Sequence, residues 1–309
     1  MSTITQKDTP RPAERPAPLR FITATSLFDG HDAAIHLIRR LLLAQGAEVI
    51  HLGHNRSVEE IVRAACQEDA DGVAISSYQG GHLEFFRYLV DRLRAQGAGH
   101  IRVFGGGGAT ITAAEAEALE QDGVERIYRA EDGVRLGLEA MVGDVLERTR
   151  RSPPGPDRRP PAGPDEHTAI GRALSLIERG AGFADGGRAA RSCPVLGVTG
   201  PGGSGKSTVI DELLVRFLAA FPAMRVALVA IDPTRQRSGG ALLADRLRMN
   251  SGCHPRVYLR SMATRRRHLA TSVVLTPASN SCGRSVSIWS SSRPPAPGRE
   301  TPRSSISST

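Results

Sequence analysis

Lysine is scarce in this chain of 309 residues, which has two lysines against 38 arginines. Aromatic residues make up only 4% of the sequence. The four cysteines (Cys66, Cys193, Cys253 and Cys282) are scattered and form no CxxC pair. This spacing argues against a disulfide framework and against a zinc site, and it fits a reducing cytoplasm.

Long apolar runs and a leader segment are also missing. The longest runs, such as residues 226–231, fall far short of the roughly 20 residues that a membrane helix needs. Residues 1–19 contain four prolines and no apolar centre, so they do not resemble a signal peptide. We therefore predict a cytoplasmic protein with no membrane partner.

The net charge of +8 is unevenly distributed along the chain. Residues 20–149 hold 13 arginines against 20 carboxylates, a net −7, whereas residues 232–309 hold 13 arginines against three carboxylates, a net +10. A basic segment can bind nucleic acid, but this one has only Tyr258 and Trp289 as aromatics and no helix-turn-helix pattern. We therefore predict no nucleic-acid partner.

Residues 19–149 alternate short apolar runs with amphipathic stretches, and they predict a first α/β domain. Helices are expected to start near Asp32, Ser57, Gly81 and Thr112, with a last one from about Glu131. Ser57 and Thr112 each begin a capping box. The alternation is typical of a doubly wound parallel sheet in the flavodoxin-like order. The five expected strands cover residues 21–25, 48–52, 72–76, 101–104 and 124–128.

The rest of the chain divides into an arm, a linker, a second α/β unit and a tail. Residues 1–18 are predicted to be a disordered arm, and residues 150–165, with six prolines, to be a linker. The second unit, residues 166–275, is expected to be part of a P-loop nucleotide-binding domain. It should contain a helix over 169–179 and strands at 195–199, at 226–231 and near Val257.

Residues 276–309 change character, with 11 serines and five prolines and no apolar period. Such a composition buries too little surface to offset the entropy of ordering, so we expect a disordered tail. Two origins are open: a natural tail, or a change of reading frame after about residue 275. We favour the second, because Thr276 interrupts a helical pattern.

Residues 200–207 read GPGGSGKS, a full match to the phosphate-binding pattern GxxxxGK(S/T). The motif lies between an apolar run and a helical stretch, the context that it requires. Backbone N–H groups of such a loop hold phosphates at the positive end of the helix. Lys206 is expected to reach the outer phosphates and Ser207 to hold Mg²⁺. The predicted nucleotide site comprises Gly200, Gly202, Gly203, Ser204, Gly205, Lys206, Ser207 and Thr208.

Three unusual loops follow the first, third and fourth predicted strands, at the edge where flavodoxin-like sheets bind ligands. A histidine two residues after an aspartate suits a metal ligand whose second nitrogen is held by a carboxylate. Four consecutive glycines let a bulky ligand approach the backbone. The predicted cofactor site comprises Asp29, Gly30, His31, Ser76, Ser77, Tyr78, Gly105, Gly106, Gly107 and Gly108.

Three other histidines lie near these loops. We interpret His51 and His54, in the sequence HLGHN, as surface or packing residues, because they lie at the end of the second strand, away from the three loops. His82 is a stronger candidate, since its loop lines the proposed pocket.

Residues 20–148 resemble the cobalamin-binding domain of acyl-CoA mutases. The pattern of that domain, DxHxxG, SxL and GG, reads DGHDAA, SSY and GGGG here. The resemblance implies that His31 is the lower axial ligand to cobalt, displacing the cofactor's own base, and that Asp29 polarises it. Ser76 and the glycines would line the pocket for the nucleotide tail. Ala34 and Tyr78 depart from the Gly and Leu of the family.

Residues 169–275 resemble the GTPase chaperones that service cobalamin-dependent mutases, through RALSLIE, VTGPGGSGKST and AIDPTRQRSGGALLADRLRM. The resemblance implies GTP or GDP as ligand and Asp232 as a Mg²⁺ contact. No lysine follows Lys206, so the guanine-reading NKxD motif does not occur in this sequence, and no DxxG follows the phosphate loop. We therefore expect weak or no GTPase activity.

The order of the two domains resembles the N-terminal third of the fused isobutyryl-CoA mutases. This resemblance implies adenosylcobalamin and GTP with Mg²⁺ as cofactors, and a homodimeric parent that isomerises isobutyryl-CoA and n-butyryl-CoA. No acyl-CoA site is evident in this sequence, so no mutase chemistry is expected from it alone. A stand-alone cobalamin carrier or sensor is the alternative. A phosphorylated receiver domain is set aside because the first domain has no lysine.

Overall fold

The computed structural model describes residues 18–151, 166–178, 194–201, 203–232, 240–243, 245–263 and 285–291. The strands of these residues form two parallel sheets, one with six strands and one with four. Among the described residues, no helix combines the length and the apolar character that crossing a membrane requires.

The first sheet contains the five strands that the sequence predicted, and their parallel order is β5-β4-β3-β1-β2. The flavodoxin-like order is therefore confirmed. Since the strands are parallel, all their carboxyl ends meet at one edge, which carries the loops after β1, β3 and β4. The strands are β1 (Arg20–Ser26), β2 (Glu48–Arg56), β3 (Gly72–Ser76), β4 (Arg102–Gly106) and β5 (Arg126–Tyr128).

Six helices connect these strands or follow them. The capping boxes at Ser57 and Thr112 both form, each with the glutamate three residues later. The expected last helix is divided in two at Gly137, whose φ of +77° interrupts the helical backbone. The helices are α1 (Ala33–Ala44), α2 (Val58–Gln67), α3 (His82–Ala95), α4 (Ala113–Gln121), α5 (Ala130–Leu136) and α6 (Leu138–Arg151).

Buried side chains alternate between the two faces of this sheet, as the period of two in a strand requires. Phe21 belongs to the apolar cluster shared with α1 and α6, and its neighbour Ile22 to the cluster shared with α2, α3 and α4. By the same alternation, Ser76 faces α1, because Ala74 belongs to the α1 cluster and Ile75 to the other. Any pocket that Ser76 lines therefore lies on the α1 side.

The remaining described elements begin at Glu166. The second sheet has the order β6-β10-β7-β9, with every pair parallel. The strands are β6 (Val195–Thr199), β7 (Arg225–Asp232), β8 (Ala241–Leu243), β9 (Val257–Ala263) and β10 (Ser285–Ser291), and the helices are α7 (Glu166–Glu178), α8 (Lys206–Ala220) and α9 (Asp245–Arg248).

Two strands depart from the prediction. β8 lies in the predicted second domain, yet it pairs with β2 and becomes the sixth strand of the first sheet. Glycine at position 240 permits this approach, because an added Cβ would lie 2.5 Å from the carbonyl oxygen of Leu43. β10 lies within the predicted disordered tail. In the second sheet it lies between β6 and β7, and both neighbours pair with its backbone, whose hydrogen bonds do not depend on its serine-rich side chains. The other residues of that tail lie outside the described residues.

A buried charge network joins the two sheets. Glu68, at the end of α2, accepts hydrogen bonds from the backbone N–H of Ser261 in β9 at 3.0 Å and from the guanidinium of Arg246 at 3.1 Å. Burial alone would lower the pKa of Arg20, but the carboxylates of Glu178, Glu48 and Glu68 more than offset it and hold that pKa above its ordinary value. The first sheet is thereby joined to α7, α9 and β9 through buried polar groups.

Candidate functional site

The loop after β1 holds a histidine against a buried carboxylate. The Nδ1 of His31 lies 2.8 Å from Oδ1 of Asp29, and the same oxygen accepts the backbone N–H of His31 at 2.8 Å. The Asp29 side chain is fully buried, whereas 76% of the His31 side chain is exposed. A carboxylate oxygen accepts, so Nδ1–H donates, and in the neutral imidazole Nε2 then carries the lone pair. The imidazole is thus fixed at one nitrogen and open at the other.

Residues that the sequence did not single out hold Asp29 in place. Thr25 Oγ1 donates to the Asp29 carbonyl oxygen at 2.9 Å, and the N–H of Asn55 donates to Thr25 Oγ1 at 2.9 Å. Asn55 also accepts the N–H of Phe28 on its Oδ1 at 2.7 Å. The two contacts made by Asn55 join residues 30 and 27 positions apart, so no local sequence pattern predicts them. The one local sign is the polar pair Thr25 and Ser26 at the end of β1.

The loop after β3 completes the support of this histidine. The backbone N–H of Tyr78 donates to the second carboxylate oxygen of Asp29 at 2.6 Å, and the Tyr78 ring lies 5.5 Å from the His31 ring. Ser77 faces inward, accepting from Ser26 Oγ at 2.8 Å and donating its N–H to the Gly106 carbonyl at 2.7 Å. The structure therefore brings the first and second predicted loops together around Asp29.

The four glycines after β4 have different reasons to be glycine. A Cβ at Gly105 would lie 2.5 Å from the Phe86 ring, and a Cβ at Gly107 would overlap the Ser77 carbonyl oxygen. Gly108 has a φ of +57°. Internal packing and backbone conformation thus require these three. Gly106 pairs in register with Ser76, so it adjoins that hydroxyl on the α1 face of the sheet.

The residues at this edge fit cobalamin. Ser76 Oγ is buried, and among the described residues it has no hydrogen-bond partner, so it remains available to a ligand on the α1 face. An added Cβ at Gly30 or Gly80 meets nothing within 4 Å, so the space around both of these loop glycines is open. An exposed imidazole and a buried hydroxyl without a partner in the described part of the chain, both at the carboxyl edge of the sheet, suit a corrinoid that takes an axial nitrogen ligand and carries a polar tail.

The histidines outside the loops take other roles. His51 is buried, as a packing residue should be, and its ring lies 4.9 Å from that of His36 in α1. His54 is exposed. His82 is also buried, and its Nε2 lies 3.5 Å from a carboxylate oxygen of Glu115 in the first turn of α4.

The phosphate loop lies where the sequence placed it, between β6 and α8. Gly203 and Gly205 have φ values near +80°, which glycine adopts without strain. The Lys206 amine donates to the carbonyl oxygens of Gly200 and Pro201 at 2.8 and 2.7 Å. The amine therefore bridges two carbonyl oxygens of its own loop.

The other predicted nucleotide residues lie around this loop. Ser204 donates to the Pro201 carbonyl oxygen at 2.9 Å, Ser207 lies in the first turn of α8, and Thr208 is exposed beside it. Asp232 is the last residue of β7, at the carboxyl edge of the second sheet. Gly202 lies outside the described residues. Within the described part of the chain, no cluster of three or more His, Cys, Asp or Glu side chains could bind a metal.

Comparison with known proteins gives two family matches in the order that the sequence suggested. The B12 binding domain model matches residues 19–134, and the model of the methylmalonyl Co-A mutase-associated GTPase MeaB matches residues 172–273. The fused isobutyryl-CoA mutase of Geobacillus kaustophilus is 50% identical over 272 residues, covering 80% of this chain and 24% of that protein. The corresponding protein of Cupriavidus metallidurans is 49% identical and covers 80% and 23%.

A smaller relative is matched almost completely. The 2-hydroxyisobutanoyl-CoA mutase small subunit of Aquincola tertiaricarbonis is 34% identical, and the match covers 43% of this chain and 97% of that subunit. The fold, the loops and these matches together define a protein of the cobalamin-binding acyl-CoA mutase class.

Within that class, the chain belongs to the fused isobutyryl-CoA mutase family and contains its cobalamin-binding and MeaB-type GTPase domains. It spans about a quarter of the length of these fused relatives. The resemblance drawn from the sequence is confirmed. The relatives are mutases, so the alternative of a stand-alone carrier has no support from them.

Proposed function

We propose that this chain is the cofactor-handling part of an acyl-CoA mutase. It binds adenosylcobalamin with His31 as the lower axial ligand to cobalt, and it binds a guanine nucleotide with Mg²⁺ at its phosphate loop. The mutase of which it forms a part is a cytoplasmic homodimer that interconverts isobutyryl-CoA and n-butyryl-CoA. The single observation that carries the proposal is the 2.8 Å contact between the exposed His31 and the buried Asp29.

The residues of the chain bind and orient the cofactor. His31 offers Nε2 to the cobalt, while Asp29 fixes the tautomer and makes the imidazole a stronger ligand. Ser76 would donate a hydrogen bond to the nucleotide tail, and Gly106, which pairs with Ser76, would leave room for that tail. When bound, the cofactor supplies the radical chemistry of carbon-skeleton rearrangement.

A visible-absorption titration with adenosylcobalamin tests this proposal. The wild-type chain should shift the spectrum to the form in which the cofactor's own base is displaced from cobalt. His31→Ala should abolish that shift, because no imidazole then replaces the base. His54→Ala, a change at an exposed histidine of β2, is the matched control and should leave the shift intact. A folded wild-type chain that gives no shift would overturn the proposed ligation.

The nucleotide proposal rests on Lys206, Ser207 and Asp232. Lys206 would release its two carbonyl oxygens and move to the outer phosphates, while Ser207 and Asp232 would hold Mg²⁺. Equilibrium binding of a fluorescent GDP, with unlabelled GDP and ADP as competitors, measures the site. Displacement by GDP and a loss of affinity in EDTA are expected. Because the NKxD motif that reads guanine does not occur in this sequence, ADP should compete nearly as well as GDP. A chain that binds neither nucleotide, or binds equally well in EDTA, would contradict the assigned phosphate and Mg²⁺ contacts.

A further inference from the structure

Phe28 is an exposed aromatic in the loop that carries His31. Its side chain is 84% exposed, and among the described large apolar side chains only Val134 is more exposed. The preceding residue, Leu27, packs against the apolar core, so the turn after β1 directs one side chain inward and the next outward. Single exposed apolar side chains are common on protein surfaces, so the exposure of Phe28 gains meaning only from its position three residues before His31.

The backbone of Phe28 is held in the left-handed region. Its φ is +64°, an unfavourable conformation for a large side chain, where glycine or asparagine is usual. The N–H of Phe28 donates to the side chain of Asn55, which itself has a φ of +55°. Two left-handed residues therefore clamp one another, and such strain is typical of ligand-binding loops.

The same clamp holds the histidine. The N–H of Asn55 donates to the carbonyl oxygen of Asp29 at 3.2 Å, and the Asp29 carboxylate holds His31. The backbone of Phe28 and the axial imidazole are thus positioned by one short network. The surface next to them is free of side chains at Gly30 and Gly80.

We propose that Phe28 is a positioning residue that packs against the corrin ring of cobalamin when His31 binds the cobalt. The corrin ring is broad and has apolar edges, and it would cover an aromatic side chain three residues from its axial ligand. This inference rests on the proposed cobalamin function and deepens it. It accounts for both the exposure of Phe28 and its strained backbone.

Phe28→Asn is the informative change, because asparagine accepts the left-handed backbone but provides no apolar surface. We expect about tenfold weaker binding of cobalamin, equivalent to about 1.4 kcal/mol, with a thermal unfolding midpoint equal to or above that of the wild type. Binding of cobinamide, the same ring without the nucleotide tail, should weaken by the same factor. At saturation, the spectral shift due to His31 should be fully retained.

Two further variants make the test specific. Phe28→Tyr keeps the ring and should bind like the wild type, while Phe28→Gly should repeat the loss seen with asparagine. Phe221→Ala, at an exposed phenylalanine after α8, is the matched control and should leave cobalamin binding unchanged.

The inference is overturned if Phe28→Asn and Phe28→Gly bind cobalamin within twofold of the wild type. It is also overturned if they lose affinity for cobalamin but not for cobinamide, since the contact would then be to the tail. A wild-type chain that shows no His31-dependent shift would instead remove the proposed function itself, and with it this inference. The two failures are therefore distinguishable.

Discussion

The loop after β1, which carries His31, and the phosphate loop occupy equivalent places, each at the carboxyl end of a parallel strand. Their key side chains differ in what they contact. His31 is oriented by buried Asp29, and its second nitrogen faces solvent. Lys206 instead donates to two carbonyl oxygens of its own loop. The first site is arranged before any ligand arrives, whereas the second must exchange internal hydrogen bonds for contacts with phosphate.

The difference shows where each site obtains its order. Asp29 lies in a network that reaches β2 through Asn55 and the loop after β3 through Tyr78, so three segments of the first sheet fix one imidazole. The described contacts of the Lys206 amine are local and lie within six residues of sequence. Preorganisation here comes from long-range contacts, and it reduces the ordering that binding requires.

The largest expected effect comes from disrupting the buried charge network that joins the two regions. Glu68→Ala leaves Arg246 and the N–H of Ser261 without their buried acceptor. We expect a loss of about 3–5 kcal/mol in the free energy of unfolding, because an uncompensated charge remains in the interior. Urea unfolding of the full chain, followed by circular dichroism, measures this loss.

Glu117→Ala is the matched control for Glu68, since this glutamate is exposed on α4. It should change stability by no more than about 0.5 kcal/mol. A loss of less than about 1 kcal/mol in Glu68→Ala would show that the network does not hold the two regions together.

Removing the lysine amine sharpens the comparison from the nucleotide side. Lys206→Ala should weaken binding of fluorescent GDP by about 1.5–3 kcal/mol, the usual contribution of a hydrogen bond to a charged group. Cobalamin affinity should not change, because the described contacts of the amine lie within the phosphate loop. Lys206→Arg should not restore binding, since a guanidinium does not fit where an ammonium reaches. Wild-type GDP affinity in Lys206→Ala would contradict the assigned role.

Asp29→Asn tests the loop after β1, by weakening the hydrogen bond that orients His31. The amide can donate toward Nδ1 of His31 and so favour the wrong tautomer. We expect cobalamin affinity to fall by about 10- to 100-fold, measured by the same absorption titration. Asp32→Asn, at the half-exposed carboxylate before α1, serves as the control and should bind normally. Equal affinities of the two variants would mean that Asp29 does not orient the histidine.

Much of the first sheet and both loop motifs could be predicted from the sequence. The capping boxes at Ser57 and Thr112 determine two helix starts locally. The five apolar runs that alternate with the predicted helices favour the flavodoxin-like strand order. The phosphate loop is equally local, because its glycines and Lys206 act within eight residues. Motifs of this kind need no knowledge of distant contacts.

What the sequence could not predict depends on contacts between distant segments. β8 has only three residues, too few to show a period, and its place beside β2 depends on the close approach at Gly240. β10 is serine-rich, and its strand is made by pairing with two neighbours rather than by its own propensity. The clamp between Phe28 and Asn55 joins two loops 27 positions apart.

Weak or absent GTPase activity, expected because the sequence has no NKxD and no DxxG after the phosphate loop, stays a prediction.

The smallest expected effect is a dependence on pH that originates in the first region. Burial, together with the nearby Arg39 and His36, lowers the pKa of the His51 imidazole to about 4. The unfolded chain, with an ordinary histidine pKa near 6.5, therefore binds a proton that the folded chain does not. The contribution of His51 to stability is constant above about pH 6.5 and declines as the pH falls toward 4.

His51→Gln removes this titration while keeping a group that can accept from Thr23, which lies 2.9 Å from Nδ1 of His51. As the pH falls from 6.5 to 5.5, the free energy of unfolding should decrease more in the wild type than in the variant, by up to about 1 kcal/mol. Urea unfolding at several pH values gives the slope of the unfolding free energy against pH. This slope, rather than the stability at any one pH, tests the prediction. His54→Gln, at an exposed histidine, should keep the wild-type slope. If His51→Gln keeps that slope too, the acid sensitivity of the first region originates elsewhere.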